Sequence, residues 1–230
     1  MSELKKRIQK VEQEIQTACD KSKRNRSEIN VVAVTKSVSA ARAEEVKNAG
    51  IIQLGENRAE GLIHKQEVIK DGVDWHFIGN IQSRKVRGII DEIDYLHSLD
   101  RISIAKEIQK RATKKIKCFV QVNVSGESSK SGVSPEELEG FVTEIAAYDK
   151  IEIVGLMTMA PHIEDTELIR SYFRNLKELR DDIVSLKLPH APCTELSMGM
   201  SNDFTIAIEE GATYVRIGTA LVGAESEGNV

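Results

Sequence analysis

One pattern repeats along the 230-residue chain: a short apolar run rich in β-branched residues, a polar turn, then an amphipathic stretch. The strand-like runs cover 30–36, 51–55, 74–79, 95–99, 117–124, 152–157, 194–198 and 213–218. Valine and isoleucine dominate the stronger ones, the composition of strands buried on both faces, and YLHSL at 95–99 carries the weakest signal. The stretches between them are amphipathic at helical spacing. Leu4, Ile8, Val11, Ile15 and Ala18 share one stripe of a helix that precedes the repeat; Leu138, Phe141, Val142 and Ile145 share another. Ile169, Tyr172, Phe173, Leu176, Leu179 and Ile183 form a longer third. Ser134-Pro-Glu-Glu137 reads as a capped start, with Pro135 in the first turn and Glu137 completing a capping box. Ser201 is expected to cap the penultimate helix and Gly211 to close it. Such alternation without a long linker predicts an α/β fold: a single (β/α)₈ or TIM barrel over 1–230, with 1–25 forming an extra N-terminal helix packed on it. A doubly wound open sheet is the alternative, but it uses fewer strands for this length, and no GxGxxG follows the first strand.

No apolar run approaches the roughly 20 residues that span a bilayer. The charged segment 1–20 lacks the apolar centre of a signal peptide, so a cytoplasmic protein without membrane contact is expected. Cys19, Cys118 and Cys193 lie far apart with no CxxC pair, which fits reduced, packed thiols and no metal site. A net charge of −4 offers no general footprint for nucleic acid. The basic runs 21–26 and 110–117 have no interleaved aromatics and read as solvated helix ends. No long apolar stripe is left unassigned, so a monomer is expected.

In a barrel, chemistry gathers at the C-terminal strand ends and the loops after them. Lys36 follows the first strand and shares parity with Val32 and Val34. Enclosed in the barrel mouth, its amine would be desolvated toward the neutral, nucleophilic form. Taken alone, it reads more readily as a lysine snorkelling to solvent from a strand end. Ser197-Met-Gly-Met-Ser201 leads into a helix, and Gly218-Thr219 opens the segment after the eighth strand. Close-approach glycines, small hydroxyls and helix-start N–H groups suit a phosphate, although ordinary capping explains either loop singly. Both loops beside a lysine point to a ligand carrying an aldehyde and a phosphate. Arg216 shares parity with Tyr214 and needs an acceptor, either a ring nitrogen or a structural ion pair.

The motifs AVTK at 33–36, GEN at 55–57, WHFIG at 75–79, KSG at 130–132, GLM at 155–157, LSMGMSND at 196–203 and VRIG at 215–218 fall in order along nearly the whole chain. In these the sequence resembles the YggS/PROSC family of pyridoxal-phosphate homeostasis proteins, related to the barrel domain of alanine racemase. The resemblance implies pyridoxal 5′-phosphate (PLP) as cofactor, held as a Schiff base on Lys36. It implies that Ser197, Gly199, Ser201, Gly218 and Thr219 surround the phosphate and that Arg216 faces the pyridine nitrogen. It also implies that Asn57, His76 and Met157 line the pocket, although a mid-strand histidine is often simply satisfied within the core. Lys130 corresponds to a family lysine that would give a second docking point, and apo PLP enzymes would be recipients. One departure is visible: Arg84 stands where the family carries Asn.

The same resemblance bears on catalysis. A guanidinium beside the ring nitrogen leaves the ring unprotonated and a poor electron sink. Racemases with that arrangement add an acid/base from a further domain, whereas this sequence stops soon after its eighth strand. The expectation is a carrier that buffers and transfers PLP with little or no catalysis. A monomeric amino-acid racemase is the first alternative. A cofactor-free Schiff-base aldolase is the second, and it would leave Arg216 no ring to face.

Overall fold

The structure is a computed structural model that describes residues 2–127, 131–161 and 163–224. Its strands are β1 (Asn30–Val34), β2 (Gln53–Glu56), β3 (Asp74–Phe77), β4 (Tyr95–Leu99), β5 (Ile116–Gln121), β6 (Ile151–Met157), β7 (Glu195–Ser197) and β8 (Tyr214–Ile217). All pair in parallel in sequence order, and β8 returns to β1 to close the barrel. Around it run α1 (Glu3–Ser22), α2 (Ala40–Asn48), α3 (Ala59–Val68), α4 (Ile102–Arg111), α5 (Leu138–Glu144), α6 (Thr166–Ser185), α7 (Phe204–Glu209) and α8 (Thr219–Val222). The connection from β3 to β4 departs from the alternation, because 3₁₀ turns at Ser83–Gly88 and Ile90–Glu92 stand where the other crossovers carry an α-helix.

Strand alternation separates two layers of core. Leu54, Leu96, Cys118, Ile153, Leu156, Leu196, Val215 and Ile217 pack beneath the helices and are fully buried, and a register shift in β6 between Ile153 and Gly155 brings both Ile153 and Leu156 to that layer. Each contributes about 1.5–3 kcal/mol of burial, which makes this layer the main source of stability. Val32, Tyr95, Phe119, Met157 and Tyr214 form a separate cluster inside the barrel. Gly155 lets β6 approach β7, since a Cβ there would lie 2.1 Å from the Glu195 carbonyl oxygen. The weakest sequence signal, 95–99, is a strand buried along its whole length.

The helices follow their stripes. Ser2 Oγ accepts from Lys5 N–H at the start of α1, and left-handed Lys23 ends it. Leu4, Val11, Ile15, Ala18 and Cys19 are buried along this helix, which contacts α7 and α8. Asp165 caps α6, which buries Ile169, Phe173, Leu176 and Ile183. Two capping expectations are corrected. Ser134 Oγ bonds the Glu137 carboxylate instead of a backbone N–H, and a 3₁₀ turn precedes α5. Asp203, not Ser201, occupies the N-cap of α7, because Ser201 Oγ is engaged by Gly218 N–H. Gly211 does follow α7 with φ +109°, which favours glycine. Among the described residues no helix is long and apolar enough to cross a membrane, and no cluster of three or more potential metal ligands occurs. The three cysteines are free and buried.

Candidate functional site

The C-terminal strand ends enclose a cavity of about 500 Å³. Lys36, Asn57, Ser201, Arg216, Gly218 and Thr219 line it, with Val34, Ile78 and Met159 as apolar wall. The barrel seam makes this possible. Ala33 pairs with Ile217, and a Cβ on Gly218 would meet Val34 Cβ at 3.7 Å, so the loops after β1 and β8 lie side by side.

The two glycine-bearing loops are fastened to each other. Gly218 N–H donates to Ser201 Oγ at 3.3 Å, and Arg216 N–H to the Gly199 carbonyl at 3.0 Å. Gly199 has φ +91°, and a Cβ would come within 2.6 Å of Ala207 Cβ. Only glycine allows this turn to sit so close to α7. Met200 N–H donates to Asp203 Oδ1 at 2.6 Å, which ties that carboxylate into the same turn.

Arg216 lies at the floor, 4% exposed. Its Nη1 donates to Ser197 Oγ at 2.6 Å and its Nη2 to the Thr158 carbonyl at 2.9 Å. A guanidinium carries more donors than these two acceptors use. Burial lowers its pKa to about 10 against the opposing charge of Asp203, so it stays protonated at neutral pH. Lys36 sits in the turn after β1 and is exposed, so the enclosure expected for its amine is absent. The turn is braced from behind: Thr35 Oγ1 donates to Glu56 Oε1 at 2.6 Å, and Lys65 Nζ lies 3.1 Å from the same oxygen.

Of the remaining sequence candidates, Met157, Ser197, Gly199 and His76 do not line this cavity. Met157 packs in the inner apolar cluster, and Ser197 is buried beneath Arg216. His76 stacks on Tyr95 at 4.3 Å with Nδ1 2.8 Å from His97 Nε2. Burial, assisted by Lys117, lowers its pKa to about 3. Lys130 lies outside the described residues. His97 was not singled out in the sequence, although its parity with Tyr95 on a buried strand marks it as inward-facing. Asp203, Met159 and Met200 also reach the cavity.

A closed parallel barrel with an amine, a guanidinium and two tethered glycine loops around one pocket at its C-terminal mouth defines a (β/α)₈ small-molecule-binding protein. Residues 7–226 match the family described as alanine racemase, N-terminal domain. The pyridoxal phosphate homeostasis protein of Aquifex aeolicus strain VF5 is 42% identical over 94% of this chain and 96% of its own. That of Pseudomonas aeruginosa is 36% identical over 99% and 98%. The chain belongs to the pyridoxal phosphate homeostasis protein family, within that racemase-related group. Among solved structures, PipY of Synechococcus elongatus PCC7942 with PLP bound is 30% identical, with a TM-score of 0.79 over 85% of this chain and 93% of that one. An alanine racemase of Clostridium difficile 630 shares the fold alone, at 14% identity and a TM-score of 0.77 over 99% of this chain and 58% of that one.

Proposed function

We propose that this protein binds PLP as a Schiff base on Lys36 and serves intracellular PLP homeostasis by buffering and transfer, with little or no catalysis. The observation that carries the reading is the meeting of Lys36 with Ser201, Gly218 and Thr219 in one cavity across the barrel seam. The donor set fits the cofactor: an amine for the aldehyde, hydroxyl and backbone N–H groups for the phosphate, and a charged guanidinium for the ring nitrogen. PLP would supply an electrophilic carbonyl and a conjugated ring. Lys36 would attach it, Ser201, Gly218 and Thr219 would hold the phosphate, and Asn57 would line the same cavity. The names of the relatives and the PLP-bound PipY structure support this assignment. Arg216, charged at neutral pH, supports the restraint on catalysis, because it would give its proton to the ring only at high cost.

Borohydride reduction followed by peptide mapping tests the reading. The wild-type protein should be yellow and should yield one pyridoxyl-labelled peptide, containing Lys36. Lys36→Ala should lose both colour and label. Retained label in that variant, or label on another lysine alone, would overturn the assignment. Turnover of an amino acid's stereocentre at an ordinary rate of about 1–10³ s⁻¹ would overturn the low-catalysis part.

A further inference from the structure

Barrel interiors of this kind are usually filled by apolar layers. Here a chain of polar side chains runs through the interior, from the pocket floor to the partly exposed Gln53 and Asp74 at the other end. Arg216 Nη1 lies 2.6 Å from Ser197 Oγ, which lies 2.9 Å from His97 Nδ1. His97 Nε2 lies 2.8 Å from His76 Nδ1, and His76 Nε2 meets Gln53 Oε1. Gln53 Nε2 then reaches Asp74 Oδ2 at 2.8 Å. Ser197, His97 and His76 are completely buried, and the rings are sheathed by Tyr95 and by Phe119, which stacks on His97 at 4.4 Å.

The proton positions follow from the two ends. A carboxylate only accepts, so Gln53 presents its NH₂ to Asp74 and its carbonyl to His76. His76 must therefore carry its proton on Nε2. Burial keeps both imidazoles neutral, since each has its pKa depressed far below the usual histidine range. Neutral His76 then accepts at Nδ1 from His97 Nε2–H, and His97 accepts at Nδ1 from the Ser197 hydroxyl. Ser197 is left with a lone pair for Arg216, which can only donate. A single arrangement satisfies every link, and all the donors point the same way, from Arg216 toward Asp74. Aligned hydrogen bonds of this kind polarise one another in a low-dielectric interior.

We propose that Ser197, His97, His76, Gln53 and Asp74 are positioning residues that fix the orientation of Arg216 and couple its donor strength to the charge at the opposite end of the barrel. The proposal rests on the reading that Arg216 faces the cofactor ring. The chain makes Ser197 Oγ a stronger acceptor, which holds the proton on Arg216 and away from the ring. Asp74 shares its end of the barrel with Lys117, Tyr95, Tyr214 and Glu195, and Lys117 Nζ lies 3.2 Å from Tyr95 Oη.

Long-range ¹H–¹⁵N correlation spectra of apo protein labelled with ¹⁵N at histidine and arginine test the chain without cofactor, so its failure is distinguishable from a failure of Lys36 labelling. His76 and His97 should both appear as neutral Nε2–H tautomers at pH 7, protected from exchange. A proton on His97 Nδ1, or a doubly protonated ring, would overturn the proposal. Asp74→Asn keeps an acceptor for Gln53 but removes the charge. It should leave the tautomers intact, shift the Arg216 side-chain ¹⁵N resonances, and change PLP dissociation roughly threefold. Ser197→Ala cuts the chain beside Arg216 and should weaken PLP binding about tenfold while moving the His97 Nδ1 resonance. Folded variants in which neither the Arg216 nor the His97 resonances move would refute the coupling.

Discussion

Two buried polar systems stand behind the pocket, and they handle charge in opposite ways. Inside the barrel, two imidazoles between Ser197 and Gln53 are kept neutral by burial, and only the ends of the chain are charged. On the outer face of the wall, Glu56 and Lys65 meet as an ion pair at 3.1 Å, with side chains 1% and 5% exposed and Thr35 Oγ1 completing the carboxylate. A neutral chain incurs little desolvation and can pass polarity along its length. A buried ion pair incurs a large desolvation cost and is held locally by its own attraction. The difference matches what each supports: the first reaches Arg216 at the pocket floor, and the second clamps the turn that presents Lys36.

The sharpest way to break the contrast is to remove one ion. Lys65→Met leaves the Glu56 carboxylate buried and uncompensated, and it should destabilise the fold by about 3–5 kcal/mol in urea unfolding. A cost below about 1 kcal/mol would mean that water already reaches the pair. The neutral system responds to acid instead. A histidine whose native pKa lies below its unfolded value contributes stability that is fully present above about pH 6.5 and is lost as the pH falls, because the unfolded chain takes up a proton that the native ring refuses. His76, with a native pKa of about 3, should lose stability throughout the window from about 6.5 down to that value. The slope is about 1.4 kcal/mol per pH unit for that ring, and His97 contributes in the same direction. Urea unfolding at pH 7, 6 and 5 measures it. A flat profile would show that the rings protonate in place, and the distinction between the two systems would dissolve.

How much of this was legible in the sequence depended on which force set each feature. The eight strands were legible because outward-facing Val, Ile and Leu pack beneath helices and leave a strong composition signal. Their C-terminal limits were not: β1 ends at Val34 instead of Lys36, where the chain turns so that Val38 N–H bonds the Thr35 carbonyl. Lys36 and Arg216 both line the mouth cavity, but parity left open which face Arg216 takes, and Lys36 lies in the turn beyond β1 where strand alternation no longer applies. The resemblance grouped Ser197, Gly199, His76 and Met157 with the pocket, but they sit below or behind it. Local spacing cannot tell a side chain that touches a ligand from one that touches the residue touching it. His97 and Lys65 escaped notice for a related reason, since each becomes meaningful only through partners 20 or more residues away or across a helix–strand interface.

The finest probe of the comparison replaces the whole ion pair. Glu56→Met combined with Lys65→Met removes both charges and keeps roughly the same length of side chain between β2 and α3. Thr35 Oγ1 loses its carboxylate partner, but the Gly55 carbonyl lies 3.4 Å away and can accept in its place. Exchanging a buried pair for packed apolar groups is commonly neutral or better, so the double variant should fall within about 1 kcal/mol of wild type, although Lys65→Met alone costs several times more. Urea unfolding of the single and double variants gives that coupling directly. Borohydride labelling of the double variant then asks what the clamp does for the pocket. Full labelling of Lys36 would assign the clamp's role to shape alone, whereas the axial chain, acting through polarity, admits no such apolar replacement. If the double variant is as unstable as the single one, packing and not charge dominates at Glu56, and the two systems differ less than their chemistry suggests.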